Sequence, residues 1–311
     1  MVNCVYICSA GHSGSTLLDL ILGSHSSVCS MGEISHLTKN LALNSLCSCG
    51  ACIRDCMIWQ EVFKKLSVIT GKDLFKSPYD LHLGYPLATN VVDKTHQTEM
   101  YKVKRKLILG LRYLQLTHGV MLPRFLLNSI HQSLSNNFML YDVIREVRNA
   151  EIVVDSSKDY MKGAGLYLKA PSNVRIILLS RDGRGVLYSN LKRNHPLHRS
   201  VNGWKRYYER ALPILEKNVN PQHIFPVKYE ELVKSPERVV RAICAFIGIE
   251  YESEMLNYAM ADHHTTNGNN MRMSRNNEIR ADIGWTQKLR LADQQYFKKI
   301  AGHLNKHLGY E

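Results

Sequence analysis

The 311-residue sequence has no run of about 18 apolar residues, the length that a membrane-spanning helix requires. Its first residues, MVNCVYICSA, lack the basic segment that precedes the apolar part of a signal peptide. It also has no internal repeat and no low-complexity tract. We therefore expect a soluble, cytoplasmic protein with no membrane span.

Acidic residues are scarce relative to basic ones, with 27 Asp and Glu against 40 Lys and Arg, a formal net charge of +13. Such a surplus fits an anionic partner: nucleic acid, a membrane surface, or a small phosphorylated or sulfated ligand. The content of 45% hydrophobic and 22% charged residues is typical of a globular chain with an ordinary core. Charge alone does not choose among these partners.

Strands and helices alternate along the chain. Apolar, β-leaning runs predict buried strands at 3–9, 150–155, 173–181 and 223–232. Apolar residues at three- and four-residue spacing predict helices after the first and third strands, over 57–70, 98–150 and 204–218, from Pro236 onward with Ser235 as cap, and as a final pair over 290–310. We predict an α/β fold, a mostly parallel sheet flanked by helices, forming one domain over 1–311 with a helical insertion or lid at about 57–150.

The first predicted strand runs into CSAGHSGSTLLDLILGSHS, which has the strand, glycine turn and helix of a phosphate-binding loop. Against the pattern G-x-x-x-x-G-K-[ST], Ser9 replaces the first glycine and Ser15 replaces the lysine. Backbone N–H groups and the helix N-terminus would still bind an anion. The missing lysine argues against ATP or GTP hydrolysis, although a kinase or NTPase stays as an alternative.

A second anion-binding position is predicted in LLSRDGRGVLYSNLKR. Arg181 ends a strand, and Ser189 follows eight residues later, about two helical turns away. An arginine and a serine hydroxyl that converge in this way could bind one phosphate. The GRG here is not a dinucleotide fingerprint, because Tyr188 stands where the third glycine would be.

These motifs, in this order, resemble those of the sulfotransferases that use 3′-phosphoadenosine 5′-phosphosulfate (PAPS). GHSGSTLL is similar to their 5′-phosphosulfate loop, SRDGRGVLYS to their 3′-phosphate segment, and NGNNMR to a C-terminal loop that also contacts the 3′-phosphate. The VKYEELVKSPERVVRAICAFIG, CSCGACIRDCMIW and VVDSSKDY segments resemble other parts of the family, the last two in bacterial members. The resemblance implies the P-loop-like sulfotransferase fold, and it implies that the donor contacts Gly11, His12, Ser13, Gly14, Ser15, Thr16, Arg181, Ser189, Gly268, Asn269 and Arg272.

The resemblance also implies transfer of a sulfuryl group to a hydroxyl or amine of a carbohydrate or small-molecule acceptor, with release of PAP and without a metal. Glu33, soon after the loop helix, stands where some family members have their general base. His12 occupies a loop position usually filled by Lys or Arg, and with Lys158 it would neutralise the leaving group. A tyrosyl-peptide acceptor stays as an alternative.

Four of the eight cysteines, Cys47, Cys49, Cys52 and Cys56, fall within ten residues. This compression favours packed thiols or a redox-sensitive loop over a structural zinc site. Two later histidines, in ADHHTT, are interpreted as part of a loop and not as metal ligands.

A nucleic-acid binder would need a basic stripe with interleaved aromatic residues, to which YKVKRKLILGLRY comes nearest. Its apolar residues fall at helical spacing, so the charges are expected to form a solvated helix face, and we expect no nucleic-acid partner.

Overall fold

A five-stranded, all-parallel sheet forms the centre of the computed structural model, which describes residues 2–85, 99–274, 276–277 and 279–311. The strands are β1 (Cys4–Ser9), β2 (Val28–Ser30), β3 (Ile152–Lys158), β4 (Val174–Ser180) and β5 (Ile224–Lys228), in the order β2-β3-β1-β4-β5. In register, Cys4 lies opposite Val153 of β3 and Val174 of β4. The predicted α/β class with a parallel sheet is confirmed.

Helices cover both faces of the sheet. They are α1 (Ser15–Leu22), α2 (Leu37–Ala42), α3 (Met57–Thr70), α4 (Glu99–His118), α5 (Arg124–Arg148), α6 (Tyr160–Lys169), α7 (Gly183–Leu191), α8 (Leu197–Asn218), α9 (Tyr229–Lys234), α10 (Pro236–Ile247), α11 (Trp285–Lys288) and α12 (Leu291–His307). Short 3₁₀ segments lie at Ile34–His36, Pro78–Leu81, Pro221–His223, Ser253–Met260 and Asn270–Met273.

The central strand β1 divides the core in two. Alternate side chains of a strand point to opposite faces, so Cys4, Tyr6 and Cys8 pack with apolar residues of α3, α5 and α6. On the other face, Val5 and Ile7 pack with α1, α9 and α10. All six residues of β1 are buried, as expected for a strand covered on both sides.

Two details of the predicted elements are wrong, and one strand was not predicted. β5 ends at Lys228, not at 232, because Tyr229, Leu232 and Val233 repeat at helical spacing and are buried in α9. β2 is too short, at three residues, to give a pattern in the sequence. The expected final helix pair is one long helix, α12, whose buried residues keep one helical face against α8.

The predicted helices at 57–70 and 98–150 are present as α3, α4 and α5, apart from residue 98, which lies outside the described residues. Residues of α3 and α5 share the core of one sheet face. The interpretation of about 57–150 as an insertion within a single domain stays a prediction. Among the described residues, no helix is both long and apolar enough to cross a bilayer.

Candidate active site

The loop between β1 and α1 is shaped by two residues with left-handed backbone. Gly14 caps α1 with φ of 91°, and a Cβ on it would lie 2.4 Å from a ring carbon of Tyr229. His12 has φ of 63°, which is uncommon for a residue with a side chain. The turn leaves the N-terminus of α1 facing open space beyond the carboxyl end of β1, where ligands of open α/β sheets bind.

A cavity of about 920 Å³ opens at this edge of the sheet, within the size range of small-molecule sites. Its walls come from the loop, from the ends of β3 and β4, from α7, and from a C-terminal segment. The lining residues are Gly11, His12, Gly14, Ser15, Thr16, Leu17, Glu33, Lys158, Arg181, Ser189, Lys192, Arg193, Tyr229, Gly268, Asn269, Asn270, Met271, Arg280 and Asp282. Most residues predicted from the sequence therefore meet in one place.

The C-terminal segment closes on the loop helix at Thr16. The backbone N–H of Asn269 donates to Thr16 Oγ1 at 3.1 Å. Gly268 has φ of 120°, and a Cβ on it would lie 3.0 Å from the same oxygen. The NGNN segment, for which the resemblance implies a 3′-phosphate contact, thus lies against the loop helix, and a side chain at Gly268 would crowd this approach.

Glu33 and Lys158 form an ion pair in the cavity wall, between Glu33 Oε1 and Lys158 Nζ. The two side chains are 15% and 19% exposed, so the pair is shielded but accessible. Lys158 ends β3 with φ of 72°, and Tyr207 donates its hydroxyl to the Lys158 carbonyl at 2.6 Å. Unfavourable backbone held in place at a cavity edge is typical of a functional residue.

Arg181 is buried at the end of β4, with its guanidinium 4.6 Å from the centre of the Tyr229 ring. It donates to the His12 carbonyl at 3.1 Å, and to the Asp282 carbonyl and carboxylate at 2.9 and 3.2 Å. The guanidinium is thus fixed between the loop and the C-terminal segment, a rigid cation at the cavity wall.

Ser189 lies in α7 next to Arg193, a cation that was not predicted from the sequence. Arg193 donates to the Ser189 hydroxyl at 2.9 Å and to its carbonyl at 3.0 Å. Lys192 and Arg280 also line the cavity. The sequence could have indicated Lys192 and Arg193, because both follow Ser189 within about one helical turn.

The cations around the loop affect His12. Burial, followed by the nearby charges of Arg193, His195, Lys158 and Arg181, lowers the pKa of His12 to about 4. Its imidazole is therefore neutral near pH 7 when the cavity holds no anion. A bound anion would counter these charges and raise the pKa.

Two predicted site residues do not line the cavity. Ser13, which belongs to the loop, is fully buried. The Arg272 guanidinium donates instead to the carbonyls of Thr265 at 2.8 Å and Leu46 at 3.1 Å. Arg272 thus joins the C-terminal segment to the cysteine-rich loop, and it does not line the cavity.

The cysteine-rich loop and the ADHHTT segment meet in space, which their separation in sequence did not indicate. The Sγ atoms of Cys47, Cys49 and Cys56 and a ring nitrogen of His264 all lie within 4.8 Å of one another. Cys52 is not part of this group and instead forms an antiparallel bridge with Leu46.

Part of the chain is similar in sequence to a known family. Residues 115–253, a little under half of the chain, match the model of the Sulfotransferase family. The matched segment contains Lys158, Arg181 and Ser189 but not the loop or Glu33. No curated protein matches the chain.

Two solved structures share the fold over nearly the whole length. The sulfotransferase domain from the curacin biosynthetic pathway is 18% identical, with a TM-score of 0.55, over 100% of this chain and 99% of its own. The sulfotransferase domain of the Synechococcus PCC 7002 olefin synthase is 17% identical, with a TM-score of 0.50, over 96% of this chain and 95% of its own. At these identities the likeness shows the fold alone, whereas the family model matches residues 115–253 in sequence.

Proposed function

We propose that this protein transfers a sulfuryl group from PAPS to a hydroxyl or amine of a carbohydrate or small-molecule acceptor, releasing PAP. The match of residues 115–253 to the Sulfotransferase family model and the shared fold support this proposal. The observation that carries the proposal is the convergence of two anion-binding positions on one cavity. One is the loop with the N-terminus of α1, and the other is Arg181 with Ser189.

Two anionic groups on one nucleotide explain why both positions are present. The loop amides, His12 and Thr16 would bind the 5′-phosphosulfate, because backbone N–H groups at a helix N-terminus favour anions. Arg181 and Ser189 would bind the 3′-phosphate, with Arg193 as a further cation beside Ser189. A nucleotide without a 3′-phosphate would leave this second position empty, so the cavity should distinguish PAP from AMP.

Glu33 and Lys158 would each have one role in the transfer. The acceptor oxygen attacks sulfur while the bond from sulfur to the 5′-phosphate oxygen breaks, and the acceptor proton passes to the Glu33 carboxylate. Lys158 and His12 stabilise charge on the leaving PAP oxygen, as fixed donors do in phosphoryl transfer. Lys158 contacts Glu33 before donor binding, so one cation positions the base and faces the leaving group.

The first experiment is a calorimetric titration with PAP, AMP and ATP·Mg²⁺. Each missing charge-assisted contact costs about 1.5–3 kcal/mol, so PAP should bind at least tenfold more tightly than AMP. Arg181→Met should remove the preference, whereas Arg241→Met, on the exposed face of α10, should keep it. Binding of ATP·Mg²⁺ alone would overturn the proposal and favour the kinase alternative.

The role of Glu33 needs a separate test, with labelled PAPS and a panel of carbohydrate, small-molecule and tyrosyl-peptide acceptors. Loss of a general base typically costs about 10²–10⁴-fold in rate, so Glu33→Gln should lose turnover by that factor. Its PAP affinity should stay within about threefold, because Gln can still accept a hydrogen bond from Lys158. Retained turnover would remove Glu33 from the role.

A further inference from the structure

We infer that Cys47, Cys49, Cys56 and His264 bind a structural zinc ion. His264 Nδ1 lies 3.8 Å from Cys47 Sγ and 3.1 Å from Cys56 Sγ, and all four donor atoms lie within 4.8 Å of one another. Tetrahedral zinc with bonds of about 2.3 Å to sulfur and about 2.0 Å to nitrogen separates its donors by about 3.5–3.8 Å. The donor atoms therefore already stand near the spacing that the ion requires.

The local fold of the cysteine-rich loop selects three of its four cysteines. Cys47 N–H donates to the Ala51 carbonyl at 2.9 Å and Gly50 N–H to the Cys47 carbonyl at 3.0 Å, which forms a tight turn around Cys49. Gly50 has φ of 93°, a conformation that favours glycine. Cys56 caps the N-terminus of α3, where a helix dipole favours a thiolate.

The fourth ligand, His264, is distant from the cysteines in sequence, and several contacts fix its position. Trp59 Nε1 donates to the His264 carbonyl at 2.9 Å, and Ser48 N–H donates to the Thr265 carbonyl at 2.9 Å. His264 Nε2 lies 2.9 Å from an Asp262 carboxylate oxygen. A carboxylate on the second ring nitrogen is the usual way to orient a metal-binding histidine.

The charges around the cluster suit a zinc cage. Three thiolates, one neutral imidazole and Zn²⁺ carry a net charge of −1. Arg272 donates to the carbonyl of Leu46, the residue before Cys47, and Arg148 pairs with Asp262 at 2.8 Å, so two cations lie near the cluster. Four protein ligands, three of them soft thiolates, are typical of a closed structural zinc site with no position for substrate. The compressed spacing of four cysteines is no obstacle, because Cys52 takes no part.

The ion would tie the cysteine-rich loop to the segment after Asp262, which continues into Gly268–Met271 of the cavity wall. Loss of metal should therefore loosen the contact between Asn269 and Thr16. The expectation that PAP affinity then falls depends on the proposed function, whereas the expected zinc content does not.

The test is elemental analysis by mass spectrometry of protein purified under reducing conditions without chelator. Wild type should hold about one zinc per chain. Cys56→Ser and His264→Asn should hold less than a tenth of that, while the neighbouring variants Cys52→Ser and His263→Asn should keep it. Wild type with less than a tenth of an equivalent, after growth with added zinc, would overturn the inference.

A second measurement covers the case in which the ligand variants do not fold. Cobalt exchanged into wild-type protein should give the thiolate-to-metal charge-transfer absorption of a tetrahedral thiolate site, and zinc should displace it. A chelator should lower the melting temperatures of wild type and of Cys52→Ser by the same amount. Cobalt binding without thiolate absorption, or a disulfide among Cys47, Cys49 and Cys56 in the purified protein, would refute the site.

Discussion

Gly14→Ala tests the geometry of the loop directly, because two separate costs meet at this position. The backbone φ of 91° is left-handed, which costs a residue with a Cβ about 1–2 kcal/mol. The new Cβ would also lie 2.4 Å from Tyr229 Cδ2 and 2.9 Å from Cε2, so the ring must move. Overpacking of this kind typically costs about 1–3 kcal/mol. The expected loss of stability is therefore about 2–5 kcal/mol.

Thermal unfolding converts this loss into a measurable shift. An unfolding entropy of about 2.1 cal/mol/K per residue gives about 0.65 kcal/mol/K for this chain, so the melting temperature should fall by about 3–8 °C. Gly11→Ala, three residues earlier in the same loop, is the control, because a Cβ there meets nothing within 4 Å. That variant should melt within about 1–2 °C of wild type. Equal melting of the two variants would refute the close approach of Tyr229.

Two further perturbations probe buried charges. Burial raises the pKa of Asp19, in α1, to about 7. The stability that the protonated carboxyl contributes is therefore fully present below its unfolded pKa and is lost as pH rises toward 7. The free energy of unfolding of wild type in urea, relative to that of Asp19→Asn, should fall by about 2–3 kcal/mol from about pH 5 to pH 8, and a constant difference would contradict this. Lys162→Met should cost about 3–5 kcal/mol in urea denaturation, because it leaves Asp155, 3.0 Å from Lys162 Nζ, as an unpaired buried charge. Adding Asp155→Asn should restore most of that loss, and no recovery would count against the pairing.

Short-range pattern was enough to predict much of the candidate site. A strand that passes through a glycine turn into a helix can be recognised within about ten residues, so the loop around His12 could be predicted. Arg181 and Ser189 share one strand-to-helix segment, and Lys158 directly follows an apolar strand. Since the carboxyl ends of parallel strands meet at one edge of a sheet, these residues line the same cavity.

Contacts between distant residues decided what short-range patterns left open. The resemblance implied that Arg272 contacts the 3′-phosphate, whereas in the structure its guanidinium donates to the carbonyls of Thr265 and Leu46. The strand ending at Lys228 was predicted too long, because an apolar residue fits a strand and a buried helix face equally well. Only packing against the second core layer selects the helix there.

The cysteine-rich loop shows the division between the two sources of information most clearly. Its sequence contains the thiols and the tight turn, since both are set by residues within one short segment. The exclusion of Cys52 follows from a backbone bridge to Leu46, and the recruitment of His264 from a contact across 208 residues. Residue type and spacing thus establish which chemical groups a segment can offer. Which of those groups share one small volume depends on how the distant segments pack, and no local pattern encodes that.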